Sequence, residues 1–184
     1  MGKKITAVIT IASLLLLFPI ASHAKNISVK PTGTQTPTPV VESNVNSFDL
    51  FWPMVAGRTM QSKIYFLKTL KEKVRGFLIF GSTQKANYDI FLGIKRMLEA
   101  ESLIKSNLPD LARKTLDRAA SEFSSANSAL ENAKNSSDSL QETKDEINTR
   151  LEKLKKFTRF MIKEYPDYKE SLDNIQNKLN SITI

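Results

Sequence analysis

The chain has no cysteine, and its one histidine is His23. Glycine is scarce at six residues, so tight turns and phosphate-cradling loops are few, and there is a single tryptophan. The longest uncharged, mainly apolar run begins with Ile5 to Phe18. Each shortage excludes a class of function. Serine–histidine and cysteine–histidine nucleophile pairs need residues that the chain beyond His23 lacks, as do thiolate or imidazole zinc sites. Carboxylate-bridged di-iron bundles of the usual pattern need a Glu-x-x-His on each of two helices, and they are excluded too. Without disulfides the fold depends on its packed core alone, which 41% hydrophobic residues in 184 can supply for one domain.

What is present begins with a three-part leader. Lys3 and Lys4 precede the apolar run, which reaches Ile20 across Pro19, and Ser22-His23-Ala24 closes it with small residues at minus three and minus one. This order predicts a secretory signal over residues 1–24, cleaved after Ala24, and a secreted or cell-surface protein. The alternative, a retained anchor, is disfavoured because the run falls short of the roughly 20 residues that span hydrocarbon. With the leader goes the only histidine. Residues 25–47 hold Pro31, Pro37 and Pro39 among Thr, Ser and Asn, which predicts a disordered spacer. Asn26 and Asn135 match a glycosylation pattern too short to carry weight.

From residue 48 to 184 the pattern is helical, and no strand signal competes with it. Helix one is expected over about Ser62–Ile79, capped by Ser62 and stopped by Gly81, with Ile64, Leu67, Leu70, Val74 and Phe77 or Leu78 as its apolar stripe. Helix two follows from Ser82 to about Ser106, with Phe91, Ile94, Met97, Leu98 and Ile104 inward and Gly93 as a local weakness. Helix three starts at Pro109 with a narrow, alanine-rich face (Leu111, Thr115, Ala119, Phe123, Ala126, Leu130, Ala133). A turn at Asn135-Ser136-Ser137 predicts an αα-hairpin into helix four, which repeats Leu140, Ile147, Leu154 and Met161 at sevens beside Lys144, Leu151, Thr158 and Tyr165. Pro166 ends it, and a last helix carries Tyr168, Leu172, Ile175, Leu179 and Ile182. The fold class is therefore all-α: an antiparallel bundle of four to five helices with a long αα-hairpin, preceded by the spacer.

Charge is uneven. Removing Lys3 and Lys4 takes the net charge from +8 to +6, while Arg58 through Arg96 carries nine basic residues against Glu72 and Asp89. A basic amphipathic helix of this kind can lie on an anionic membrane or wall polymer, and Lys63, Lys68, Lys71, Lys73 and Arg75 are the candidate surface. The simpler expectation is a solvated basic face, with Phe77 to Phe80 entering the core. Nucleic acid fits poorly, because aromatics do not interleave with the bases as a stacking platform requires. Paired carboxylates or a serine–lysine arrangement remain the routes to catalysis, and neither has a recognisable signature. Glu99 and Glu101 diverge on their helix, and Glu142 and Glu146 sit at an exposed start, so neither an enzyme nor a cofactor is expected.

Two segments carry a resemblance. Ile64-Tyr65-Phe66-Leu67-Lys68-Thr69-Leu70-Lys71-Glu72-Lys73-Val74, then Lys95-Arg96-Met97-Leu98-Glu99-Ala100-Glu101, resemble an uncharacterised bacterial domain-of-unknown-function family of exported helical proteins. Its members show Tyr-x-x-Leu-Lys-x-x-Lys-Glu followed by Lys-Arg-x-x-Glu-Ala; here the Tyr65–Leu67 spacing is one residue tighter. The resemblance covers about residues 50–120 and implies export and a helical fold, with no activity, cofactor or catalytic residue. Lys71, Glu72, Arg96 and Glu99 are candidates for a structural polar ladder between helices one and two. The functional expectation is an exported, non-enzymatic interaction or scaffold module of the cell envelope, binding a protein partner or itself. The alternative is a basic-helix module for anionic membrane or wall polymer.

Overall fold

A computed structural model describes residues 45–134 and 141–182. The leader, the spacer up to residue 44, the turn at Asn135–Ser137 and the first heptad residue Leu140 lie outside the described residues. Among the described residues six α-helices follow one another: α1 (Ser47–Phe51), α2 (Tyr65–Phe77), α3 (Ser82–Lys105), α4 (Pro109–Lys134), α5 (Gln141–Glu164) and α6 (Lys169–Ser181), with a 3-10 turn at Pro166–Tyr168 before the last. No strand occurs among the described residues. The fold is the all-α bundle that the periodicity predicts, with α1 as a short helix that periodicity does not resolve.

Alanine explains the architecture. Ala112, Ala119, Ala120, Ala126, Ala129 and Ala133 are all buried on one face of α4, so α3 packs against it more intimately than any other pair among the described residues. The long hairpin is thus α3–α4, one connection earlier than the turn at 135–137 suggested. Its loop closes through Asn107 at φ 54°, with Leu108 N donating to Leu103 O (3.0 Å) and Asn107 N to Ile104 O (2.9 Å). These paired bonds satisfy the carbonyls left open at a helix end. Ile147, Leu154 and Met161, spaced by sevens on α5, are completely buried, and so are Leu172, Ile175 and Leu179 on α6. Phe51 of α1 meets Phe157 of α5 edge-on at 5.5 Å. No helix among the described residues is long and apolar enough to cross a membrane.

Helix α2 departs from expectation. Its apolar stripe does not enter the core: Leu67, Leu70 and Val74 are about half exposed (51%, 55% and 52%), and Phe77 and Phe80 are each 85% exposed. Tyr65 and Glu72 are its buried residues. The helix also begins later than Ser62, with Ile64 at the cap position and no side-chain capping bond. Gly81 serves the next helix rather than this one, preceding α3 at φ 93°, a left-handed geometry that glycine adopts without strain.

Candidate functional site

At about 100° per residue, Tyr65, Lys68, Thr69, Glu72 and Gly76 fall on one side of α2, while Phe66, Leu67, Leu70, Val74 and Phe77 fall on the other. The polar side is the one that docks. Its counterpart on α3 is Lys95, Arg96 and Glu99, and the two helices meet through charge rather than through apolar packing. The Arg96 guanidinium is the hub, with Nη1 donating to Glu99 Oε1 (2.7 Å) and Nη2 to Glu72 Oε2. Glu99 also accepts from Tyr65 Oη (3.0 Å) and Lys68 Nζ, and Glu72 accepts from Lys95 Nζ (3.0 Å). Lys68 Nζ further donates to the carbonyls of Ala56 (3.1 Å) and Arg58 (2.8 Å), tying the preceding loop to the helix.

Burial sets the electrostatics of this cluster. Burial and the neighbouring Glu99 carboxylate push the Tyr65 hydroxyl up to about 12. Burial holds Lys68 below the ordinary lysine range, although Glu99 opposes the shift. For Glu72 burial pulls upward, but Arg96 and Lys95 outweigh it and the carboxyl lies below its usual value. A carboxyl depressed on folding adds stability above its unfolded pKa and loses it as pH falls through the folded value, so the α2–α3 junction weakens in acid.

Of the ladder expected from sequence, the structure brings Glu72, Arg96 and Glu99 together and leaves Lys71 out. Consecutive helical residues lie about 100° apart, so Lys71 cannot share the face of Glu72, and Lys68, one turn away, takes its place. The basic surface divides likewise. Lys63, Lys71, Lys73 and Arg75 are exposed, while Lys68 is turned inward against Glu99. The expectation that Phe77 to Phe80 enter the core is overturned, since Phe77, Leu78 and Phe80 all face outward. Sequence reasoning left Tyr65 out and assigned Lys68 to the outer surface, although their spacings of seven and four from Glu72 mark a polar stripe opposite the apolar one.

The resulting surface has a defined layout. Leu67, Leu70, Val74 and Phe77 run along the outer crest of α2, with Phe66 and Leu78 beside them. Lys71 and Arg75 line one flank and Lys73 the other, and the helix's only acid, Glu72, is buried beneath. Clefts border both flanks, one of about 530 Å³ that includes Arg58, Lys71 and Arg75 and one of about 750 Å³ that includes Lys73, Arg118 and Glu122. Among the described residues no group of three or more acids is placed to hold a metal ion.

A family model, a domain of unknown function designated DUF5667, matches residues 59–156, just over half of the chain. The chain belongs to this family. The DUF5667 span takes in α2, α3, α4 and most of α5, so the whole Tyr65–Glu99 network lies inside it. It extends well past residue 120, where the resemblance read from sequence stops, and leaves out the Trp52 loop and α6. No curated protein and no solved structure matches the chain.

A partly buried acid beside the hub, Glu122 of α4, gives a further test of these electrostatics. Burial, and then the nearby Asp89 carboxylate, raise Glu122 above its ordinary value. A carboxyl raised on folding supports the fold below its unfolded pKa and loses that support as pH rises through the folded value. Glu122→Gln is therefore expected to melt higher than the parent at pH 7, with the difference closing below about pH 4.3, where an ordinary glutamate takes up its proton. Equal melting at neutral pH would contradict this account.

Proposed function

We propose that this DUF5667 domain is an exported, non-catalytic module that binds anionic membrane surface through α2. The observation that carries this reading is the inversion of α2, which presents Leu67, Leu70, Val74 and Phe77 to solvent. An in-plane interfacial helix needs an apolar face, flanking cations that reach the headgroups, and no acid on the contact side. Helix α2 supplies the first with its crest and the second with Lys71, Lys73 and Arg75. It meets the third by burying Glu72. Each basic residue held at an anionic surface is worth about 1 kcal/mol, so the three flanking cations add about 3 kcal/mol to what the apolar crest contributes. The leader supports an exported location. The lack of histidine and cysteine beyond it supports a binding role rather than catalysis.

Vesicle flotation tests the reading. The protein should float with phosphatidylglycerol-containing vesicles at low salt, bind less at high salt, and ignore pure phosphatidylcholine. Leu70→Glu and Phe77→Glu should each weaken binding at least about tenfold, because each buries a charge or leaves the crest incomplete. No flotation of the parent with anionic vesicles at low salt would sink the proposal.

A second reading rests on the spacing of the crest. Leu67, Leu70, Val74 and Phe77 alternate by threes and fours, as a coiled-coil seam does, which suits pairing with a partner helix or a second copy of α2. Sedimentation equilibrium without lipid separates the two readings. A dimer abolished by Leu70→Glu would favour the scaffold role, and a monomer would favour the membrane.

A further inference from the structure

A second apolar exposure lies before the DUF5667 span, on α1 and the loop that follows it. Phe51 anchors the short helix α1 by packing against Phe157. The next residue, Trp52, stands 65% exposed with Phe48 tilted against it at 4.7 Å, and Val55 is 57% exposed. Between this segment and α3 is a pocket of about 500 Å³, walled by Trp52, Val55, Phe91 and Ile94. The polar groups on its lining are three cations, Lys95, Arg150 and Lys153, and no carboxylate lines it. Lys95 and Arg150 are held in place by Glu72 and Glu146, whereas Lys153 has no carboxylate partner among the described residues.

We propose that this pocket is a binding site for an anionic amphiphile: one acyl chain carrying a phosphate or carboxylate head. The apolar wall offers the chain a way out of water, at about 0.8 kcal/mol for each methylene buried. The cations sit where a headgroup would stay near solvent, and no acid competes with it. A volume of this size lies within the ordinary range for small-ligand pockets. The site stands on residues 50–55, α3 and α5, so it does not depend on α2 meeting a membrane.

Trp52 is the chain's only tryptophan, so its emission reports occupancy directly. The full chain is titrated with monomeric lysophosphatidylglycerol below its micelle concentration, with lysophosphatidylcholine of the same chain length, and with glycerol phosphate. The expected result is a saturable blue shift at about tenfold lower concentration for the anionic lysolipid than for the zwitterionic one, and none for glycerol phosphate. Lys153→Glu should raise the anionic midpoint about tenfold and leave the zwitterionic one in place. Leu70→Glu on α2 should leave both unchanged, even where it abolishes flotation. Anionic vesicles provide the bilayer arm. A shift with vesicles but not with the monomer, equal midpoints for the two lysolipids, or a monomer response lost in Leu70→Glu would each overturn the site.

Discussion

Arg96→Met should release α2 from the bundle. Exchange of the Tyr65–Phe77 amides should accelerate by about 10²–10³-fold while the buried amides of α4 and α6 keep nearly their parent protection. Arg96 is 4% exposed and, among the described residues, is the one that bonds both Glu72 and Glu99. Removing one partner of a buried ionic cluster costs about 3–5 kcal/mol, because the remaining charges stay desolvated and uncompensated. Two carboxylates would be left in that state, although Lys95 and Lys68 continue to reach them. The cost falls on α2 because its apolar crest contributes nothing to the core, so the polar junction is most of what holds it. Opening the helix lets water reach both acids and caps the damage to the rest. Hydrogen exchange followed by mass spectrometry reads the two regions separately, and unchanged protection of α2 would refute the hub. Adding Glu72→Gln and Glu99→Gln to Arg96→Met should restore much of the protection, since neutral amides can stay in the junction without the cation. The same substitutions in the parent background should loosen it, because Arg96 would then be the orphan.

The contrast between α2 and the other helices explains how far the sequence could be read. Periodicity locates α3, α4, α5 and α6 and names most of the buried residues of α4, α5 and α6, where the apolar face is the packed face; on α3 it finds Ile94, Met97 and Leu98 but not Ala86, Ile90, Ala100 or Leu103, because that helix is covered on several sides, and Phe91 and Ile104 are only partly buried. Leu154, Met161, Leu172 and Ile175 follow that rule. In α2 the same inference fails, because amphipathicity fixes two faces and does not say which of them the fold covers. The deciding information lies in another helix. Arg96 and Glu99 need partners of opposite charge, and Tyr65, Lys68 and Glu72 are the stripe on α2 that supplies them. The resemblance-based ladder reached Glu72, Arg96 and Glu99 but chose Lys71, whose adjacency to Glu72 in sequence means divergence on a helix. The Trp52 pocket was not legible at all, since its walls come from segments about 40 and 100 residues apart.

Gly93→Ala should destabilise the protein by about 2 kcal/mol, against the sign that helix propensity alone would give. Alanine is favoured over glycine in a helix interior by about 1 kcal/mol, and α3 is helical on both sides of this residue. Gly93 is not simply a weak point in its helix, however. A β-carbon built there would lie 2.3 Å from Phe123 Cε1, 2.6 Å from Cζ and 2.8 Å from Cδ1. Three atoms of one rigid ring edge are involved, so no small torsion of Phe123 relieves the overlap. The ring is completely buried, on a face of α4 where Ala119, Ala120 and Ala126 let the α3 backbone approach closely. Either the ring leaves its rotamer or the two helices part along their most intimate contact, and overpacking of this kind costs about 1–3 kcal/mol and occasionally more. A double-mutant cycle isolates the cause. Phe123→Leu alone should lose stability by vacating part of the socket, and Gly93→Ala added to it should cost little or nothing further, because the new methyl occupies the space the ring has left. Urea denaturation of the four proteins measures the coupling. Should Gly93→Ala instead melt above the parent, propensity would have outweighed packing, and the socket would not be what brings α3 and α4 together.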